Sequence, residues 1–531
     1  MSGKIRVLIA EPLSPRAEEI LSAGEDFEVI NKPGIERDEL LEIVKDADGL
    51  IVRSATKVDG EVLGVSDRLK IVARAGIGVD NIDLDTASLR GILVVNAPDG
   101  NIITTAEHTI ALMFGLARKI PAAVRSVKEG RWERSKFVGT ELSGKTLGII
   151  GLGRVGSIVA RLSGHLEMSV IACDPFISAE VAEKRGVKLV PMEELFSQSD
   201  YITLHVPKTP ETAGLIGAEA IAKMRRGVRI INCARGGLVN EAALADALES
   251  GQVAGAALDV YEVEPPGKES LLVGRDDVIC TPHLGASTEE AQENVAISVA
   301  EQVVSYLTKG SVKNAVNLPS LSAEDLERIG PYLDLTERLG SFLAQLVGGG
   351  LKRLEVTYGG PLENPMGPLS AAALKGILGH FMSGARVNLV NGPLLAKERG
   401  IEVVATSRSE MPVYSDLIEL KVVTDEGERS VAGTFVHKNE PRIVRIDQFS
   451  VDAIPEGYML IFTNDDRPGM IGMIGTLLGN HEINIAGMQI GRTRKNDRAV
   501  AVVSVDDPVP DDVMGEIRSM PNILNANLVK L

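Results

Sequence analysis

A chain of 531 residues is too long for one hydrophobic core and asks for about three or four domains. With 44% hydrophobic and 24% charged residues it has the make-up of an ordinary globular protein, and 56 basic against 73 acidic side chains (net −17) exclude a general affinity for nucleic acid. The three cysteines, Cys173, Cys233 and Cys280, sit in apolar strand-like runs with no disulfide or metal-ligand spacing. The apolar run IRVLIA near the N-terminus is too short for a signal peptide, and no apolar stretch reaches the roughly 18 residues a membrane span needs, so a cytoplasmic protein with no membrane partner is expected.

In chain order, IRVLIA predicts a strand and SPRAEEILSAG a helix ended by Gly24. GLIVRS, KIVARAG and GILVVNAPDGN are further strands, and short loops between alternating strands and helices predict a parallel sheet. TTAEHTIALMFGLARKI is a long helix, and a second α/β unit runs from Lys145 to about Cys280. STEEAQENVAISVAEQVVSYLTKG is helical, with glutamates in its first turn and Gly310 at its end. NAVNLPSLSAED reads as a linker. Residues 318–452 alternate helix and strand without an assignable motif. From Tyr458 the order is strand, helix, strand, strand, helix, strand, a ferredoxin-like βαββαβ.

The second α/β unit carries the chemistry. KTLGIIGLGRVGSIVARL is a buried strand running into Gly151-Leu152-Gly153-Arg154-Val155-Gly156 and a helix. The first glycine permits the tight turn, the second lets a pyrophosphate approach the backbone, and the third lets helix pack on strand. The next strand ends at Asp174, a carboxylate placed to accept both ribose hydroxyls; no Arg or Lys follows in PFIS, which favours NAD over NADP. Three further strands end in reactive residues: Arg235 in NCARGG, Glu264 in YEVEPP and His283 in TPHLGAST. Each alone has a bland account as surface charge or polar cap. Together they supply a base of suitable pKa, a carboxylate to orient it and a guanidinium fork for a substrate carboxylate. The set fits oxidation of a 2-hydroxy acid.

The run GLGRVG…DP…HVPKTPET…NCARGGLVNE…GAALDVYEVEPP…TPHLGAST resembles the D-isomer-specific 2-hydroxyacid dehydrogenase family. VRSATKVD, ARAGIGVDNID and the C-terminal RPGMIGMIGTLLGNHEINIAGMQIGR extend the resemblance, to its long members, over essentially the whole chain. It implies a Rossmann-like NAD domain (98–284) inserted in a flavodoxin-like catalytic domain (1–97 and 285–315). An α+β intervening domain (316–452) and a ferredoxin-like ACT domain (453–531) follow. Hinges are implied near PDGN and LGAS. NAD contacts fall on Ile77, Gly151, Gly153, Arg154, Val155, Gly156, Asp174, Val206, Cys233, Ala234, Asp259, Gly285 and Ala286. Arg53, Ser54, Gly76 and Asn101 match substrate-carboxylate loops, and Arg74, Arg134 and Lys136 add cations for a phosphorylated substrate. The implied reaction is oxidation of 3-phospho-D-glycerate, the first step of serine synthesis, in a homotetramer.

Asn464, Asp466 and Asn484 match amino-acid-binding positions for an L-serine effector, although Asn464 stands where some relatives carry His or Tyr; pairing of subunits is the alternative use of that domain. Lys438, Arg442 and Arg445 are either an anion site or solvated strand charges. Trp132, the single tryptophan, is either a subunit contact or core. Rival readings are a dehydrogenase for another 2-hydroxy acid and a non-catalytic NAD(H)-sensing scaffold.

Overall fold

The computed structural model describes residues 4–24, 26–311, 313–318, 323–382, 387–408, 414–436, 440–494 and 497–531, of which 323–327 are described by backbone alone. Lys438 lies outside them.

The first sheet holds β1 (Ile5–Ile9), β2 (Phe27–Asn31), β3 (Gly49–Val52), β4 (Ile71–Arg74) and β5 (Leu93–Asn96). All pairings are parallel and the order is β2-β1-β3-β4-β5. Its strands are short and almost wholly apolar because both faces are covered. One cover comes from far along the sequence: the Glu289–Lys309 helix packs Val295, Ala296, Val299, Ala300 and Val303 against Val7, Ile9, Ile51 and Leu93. Thr288 caps that helix on Ala291 N and Gly310 closes it at φ 66°.

Between the two halves lies a seven-stranded parallel sheet. It contains β6 (Thr146–Ile150), β7 (Ser169–Cys173), β8 (Lys188–Leu189), β9 (Tyr201–Leu204), β10 (Val228–Asn232), β11 (Val253–Leu258) and β12 (Val278–Cys280), in the order β12-β11-β10-β9-β6-β7-β8. The order reverses beside β6, which puts a crevice beyond the carboxyl end of that strand. The Ile102–Arg118 helix covers one face, burying Ala106, Leu112, Met113 and Leu116.

One expectation fails after Gly310. The run NAVNLP is no free linker in its first part: Ala315 bridges Val95, and Val316 N donates to Val94 O. Asn317 accepts from Val94 N and donates to Ile92 O, so its amide completes the exposed edge of β5 as a neighbouring strand would. An Asn-Leu-Pro run looks like a loop because this pairing is set by the sheet edge, not by local pattern.

The third sheet has β13 (Leu351–Gly359), β14 (Glu402–Arg408), β15 (Leu417–Thr424), β16 (Glu428–Val436), β17 (Glu440–Ile446) and β18 (Phe449–Ala453), antiparallel except for β13 with β14. The fourth has β19 (Tyr458–Asp465), β20 (Ile485–Arg492), β21 (Arg498–Val505) and β22 (Ile523–Lys530), antiparallel, in the order β20-β21-β19-β22 expected of βαββαβ. Met459, Ile461, Val500, Val502 and Val529 of this last sheet share one core with Leu335, Leu339 and Phe342 of the preceding domain. Gln345 strengthens the join, exchanging two hydrogen bonds with the Lys530 backbone, both 2.9 Å. Among the described residues no helix is long and apolar enough to cross a membrane.

Candidate active site

The phosphate turn leaves β6 as the glycine pattern demands. Gly151 has φ 93°, and a Cβ there would stand 2.6 Å from His205 O. A Cβ on Gly156 would meet Gly151 O at 2.1 Å, whereas one on Gly153 would meet no protein atom. The second glycine thus faces open space at the start of the Arg154–His165 helix, where unpaired N–H groups and the positive dipole end favour an anion. Asp174 ends β7 and accepts from Leu152 N at 2.7 Å and Phe176 N at 2.9 Å, which fixes the carboxylate beside the turn. These residues fit a dinucleotide. Val155 and Val206 are half-buried at the same crevice. Cys233 is buried and its thiol is pushed up to about 12 by that burial, so it is a neutral wall group.

Arg235, Glu264 and His283 follow β10, β11 and β12, three neighbouring parallel strands. His283 Nδ1 lies 2.8 Å from Glu264 Oε2, while Glu264 Oε1 accepts from Tyr261 N at 3.0 Å. The pairing leaves Nε2 of the imidazole for a substrate. Arg235 reaches this pair through its loop: a Cβ on Gly236 would sit 1.7 Å from Tyr261 O, so only glycine lets the two loops touch. His283 adopts φ 53°, a left-handed backbone uncommon outside glycine. Its N–H donates to Asp259 O and Thr281 O, both at 3.0 Å.

Asp259 is what holds that turn. Its fully buried carboxylate takes Thr281 Oγ1 at 2.6 Å, Leu284 N and Gly285 N at 2.7 Å, and His108 Nε2 at 3.2 Å. Burial works to raise its pKa, and the bonds from His108, Thr281 and Leu284 outweigh it, keeping the carboxyl below its usual range. Asp259 has no exposed surface for the nicotinamide amide here; it braces the loop that carries His283. Cys233, Ala234, Gly285 and Ala286 line the same end of the sheet. Thr105 Oγ1 ties the second crossing to the first by donating to Gly285 O at 2.9 Å.

The substrate side comes from the first sheet. Glu11, buried at the end of β1, accepts the N–H groups of Arg53, Ala55 and Thr56 at 2.9, 3.1 and 2.8 Å and so shapes the Arg53-Ser54 loop. Arg74, at the end of β4, folds over Gly76, where a Cβ would strike its Nη1 at 1.5 Å. Burial and then the nearby Arg235 charge push its guanidinium down to about 10, so it remains cationic at neutral pH. Its Nε is buried without a partner. Arg235 lies 3.3 Å from Asp80 and would strike a Cβ on Gly78 at 2.2 Å, so the Ile77-Gly78 loop is where the two domains meet. Arg154 crosses the same cleft to Asp99 at 2.6 Å. Asn101 is buried, with Oδ1 unpartnered, at the first crossing.

Two expected groupings are not formed within one chain. Arg134 and Lys136 sit on an exposed segment packed against Ala117 and Arg118, and Lys136 is paired with Glu133 at 2.5 Å. The Ile102–Arg118 helix separates them from the cleft by about 25 Å, at 1.5 Å per residue. Trp132 on that segment is 79% exposed, which rules out its own chain's core. In the last domain, Asn464 pairs with Ala499 on β21, while Asn484 lies at the other end, next to Ile485, whose partner is Val505. Six residues of strand put Asn484 about 20 Å from Asn464 and Asp466. Asn464 Nδ2 donates to Asp465 O, and Asn484 Nδ2 to Asp506. Sequence patterns assign residues to a site without saying whose copy supplies them. Arg442 pairs with Glu440 at 3.0 Å and Asp452 at 3.3 Å, and Arg445 with Glu419, as structural ion pairs.

Glu11, His108, Tyr261 and Thr281 were not singled out from the sequence. Their signal is weak because each acts only through a partner distant along the chain.

A glycine turn beside an Asp, with a histidine–carboxylate pair and an arginine on the following strand ends, defines the D-isomer-specific 2-hydroxyacid dehydrogenase class. The family model for the NAD binding domain of these enzymes matches residues 110–285, that for the D-3-phosphoglycerate dehydrogenase intervening domain matches 328–447, and that for the ACT domain matches 458–522. A D-3-phosphoglycerate dehydrogenase of Synechocystis sp. is 46% identical over 528 residues, covering 99% of this chain and 95% of its own. That of Archaeoglobus fulgidus is 46% identical over 530 residues, covering 99% and 100%. The chain belongs to the D-3-phosphoglycerate dehydrogenase family. Among solved structures, a D-lactate dehydrogenase from Aquifex aeolicus, in complex with NAD and lactic acid, has a TM-score of 0.52 at 30% identity, over 59% of this chain and all of that one. A glyoxylate reductase from Paecilomyes thermophila gives 0.55 at 31%, over 60% and 99%.

Proposed function

We propose that this chain catalyses 3-phospho-D-glycerate + NAD⁺ → 3-phosphohydroxypyruvate + NADH + H⁺, opening L-serine synthesis in the cytoplasm. NAD, when bound by the Gly151–Gly156 turn and Asp174, supplies the hydride acceptor. His283 Nε2 takes the proton of the 2-hydroxyl, and Glu264, on Nδ1, fixes the tautomer and stabilises the imidazolium. Arg235 forks onto the carboxylate beside the reacting carbon and polarises the forming carbonyl.

The observation that carries the substrate is Arg74, cationic, buried, with a vacant Nε, and repelled by Arg235 and Arg53. Three guanidinium groups gathered at one cleft favour a substrate with more than one negative group. We place the catalytic domain at 1–97 with 285–315, the NAD domain at 98–284, the intervening domain at 316–452 and the ACT domain at 453–531. The exposed Ile120, Val124, Val127, Trp132 and Val138 form an apolar face that we assign to a second copy, on the way to a homotetramer. Serine binding would draw Asn464 and Asp466 from one copy and Asn484 from another.

Steady-state turnover with NAD is expected to favour 3-phosphoglycerate over glycerate, lactate and 2-hydroxyglutarate. Equal kcat/KM for the unphosphorylated acids would remove the substrate assignment, and negligible turnover of all four would favour a sensing scaffold.

A further inference from the structure

Beside the phosphate turn lies a cavity of about 810 Å³ whose walls include Gly153, Arg154, Ser157, Arg161, Lys184 and Arg185. Arg154, Ser157 and Arg161 share one helix face by their spacing of three and seven. Four cations and no carboxylate line this cavity, in a chain of net charge −17. Arg185 Nη1 is anchored on Leu152 O at 2.9 Å and Ser157 Oγ at 2.7 Å. Among the described residues, Arg161 and Lys184 have no ion-pair partner.

The neighbouring charge is Asp174, which accepts from Leu152 N. Asp174 and Arg185 therefore hold the two polar groups of one residue, a carboxylate on one side and a guanidinium on the other. If only the residues after Asp174 mattered, the absence of Arg or Lys in PFIS would decide against a phosphorylated ribose. The fold instead brings cations from the Arg154–His165 helix and from the end of the Ala179–Lys184 helix.

We propose that this cavity is a phosphate-monoester subsite that takes the 2′-phosphate of an adenosine ribose. The preference for NAD is then set by the Asp174 charge alone, not by a lack of cations. The inference rests on Asp174 as the ribose ligand.

The test is calorimetric binding of 5′-AMP and 2′,5′-ADP, which differ by that phosphate, to the full-length protein. Asp174→Ser is expected to weaken 5′-AMP and to tighten 2′,5′-ADP by about tenfold. Adding Arg161→Gln and Lys184→Gln should abolish the gain and leave 5′-AMP as in the single variant. No gain in Asp174→Ser, or a gain that survives the two glutamines, overturns the subsite. Unchanged 5′-AMP affinity in Asp174→Ser overturns the ribose assignment with it, whereas intact NAD-linked turnover in the unaltered protein leaves the proposed reaction standing. Should Asp174→Ser not fold, the two glutamines in the native background must weaken 2′,5′-ADP about threefold or more without touching 5′-AMP; equal loss for both, or none, overturns the proposal. Inorganic phosphate should bind at least about tenfold more weakly than 2′,5′-ADP to Asp174→Ser; equal affinity would mark a free-anion site and contradict it.

Discussion

His283 is held at φ 53° by two backbone acceptors and its Nδ1 is held by Glu264, so the geometry of one imidazole is over-determined. Such investment in one side chain is the expected mark of an acid–base group. His283→Ala should lower kcat by about 10²–10⁴ while the Kd of NAD, read by fluorescence titration, stays near that of the native protein. Glu264→Gln keeps the shape and removes the charge; kcat should fall by at least about tenfold with KM little changed. Native kcat in either variant would remove the pair from the chemistry. At this scale the sequence was informative where chemistry sits at a strand end: Arg235, Glu264, His283 and Asp174 are all legible there. Glu11 and His108 were not, because a buried carboxylate that collects backbone N–H groups across 42 residues leaves no local pattern.

At the scale of elements, two helices and one loop set the site. The Ile102–Arg118 helix delivers His108 to Asp259, and Asp259 delivers the Thr281–Gly285 turn. His108→Ala should therefore reduce kcat by about 10- to 100-fold through misplacement of His283, with NAD affinity kept and much of the loss restored by His108→Gln. Equal losses in kcat and in thermal stability, with no rescue by Gln, would make His108 merely structural. His205, at the end of β9, carries a pH signature: burial lowers its imidazole to about 4, and Nε2 faces Thr203 Oγ1 at 3.1 Å. The unfolded chain then binds a proton that the folded chain refuses between pH 6.5 and about 4. The stabilisation is whole above that window and is lost as pH falls through it. His205→Asn should flatten the slope of stability against pH there, measured by urea unfolding; an unchanged slope contradicts the buried neutral imidazole. Elements with clear periodicity and caps were readable from sequence, whereas the edge pairing of 314–317 was not, since Asn317 imitates a strand with its side chain.

Across the whole molecule, two cleavage planes differ in kind. The first two sheets face each other across a polar cleft bridged by Arg154–Asp99 and Arg235–Asp80, which suits opening and closing. The third and fourth sheets instead share one hydrophobic core. Calorimetry should show the intervening and ACT domains unfolding in a single transition, and separate transitions would contradict the shared core. The order of domains was legible because each carries its own motif or βα rhythm; the fused core was not, because alternating apolar strands do not say which neighbour buries them. Closure matters most for the chemistry, since Arg53 and Arg74 belong to one sheet and Arg235, Glu264 and His283 to the other. The most direct measurement is the distance from His283 Nε2 to the substrate 2-hydroxyl in a crystal structure with NAD and 3-phosphoglycerate bound. A separation of about 2.6–3.2 Å, with the carboxylate on Arg235, is predicted; a closed complex with that hydroxyl beyond hydrogen-bond reach of His283 would contradict the account.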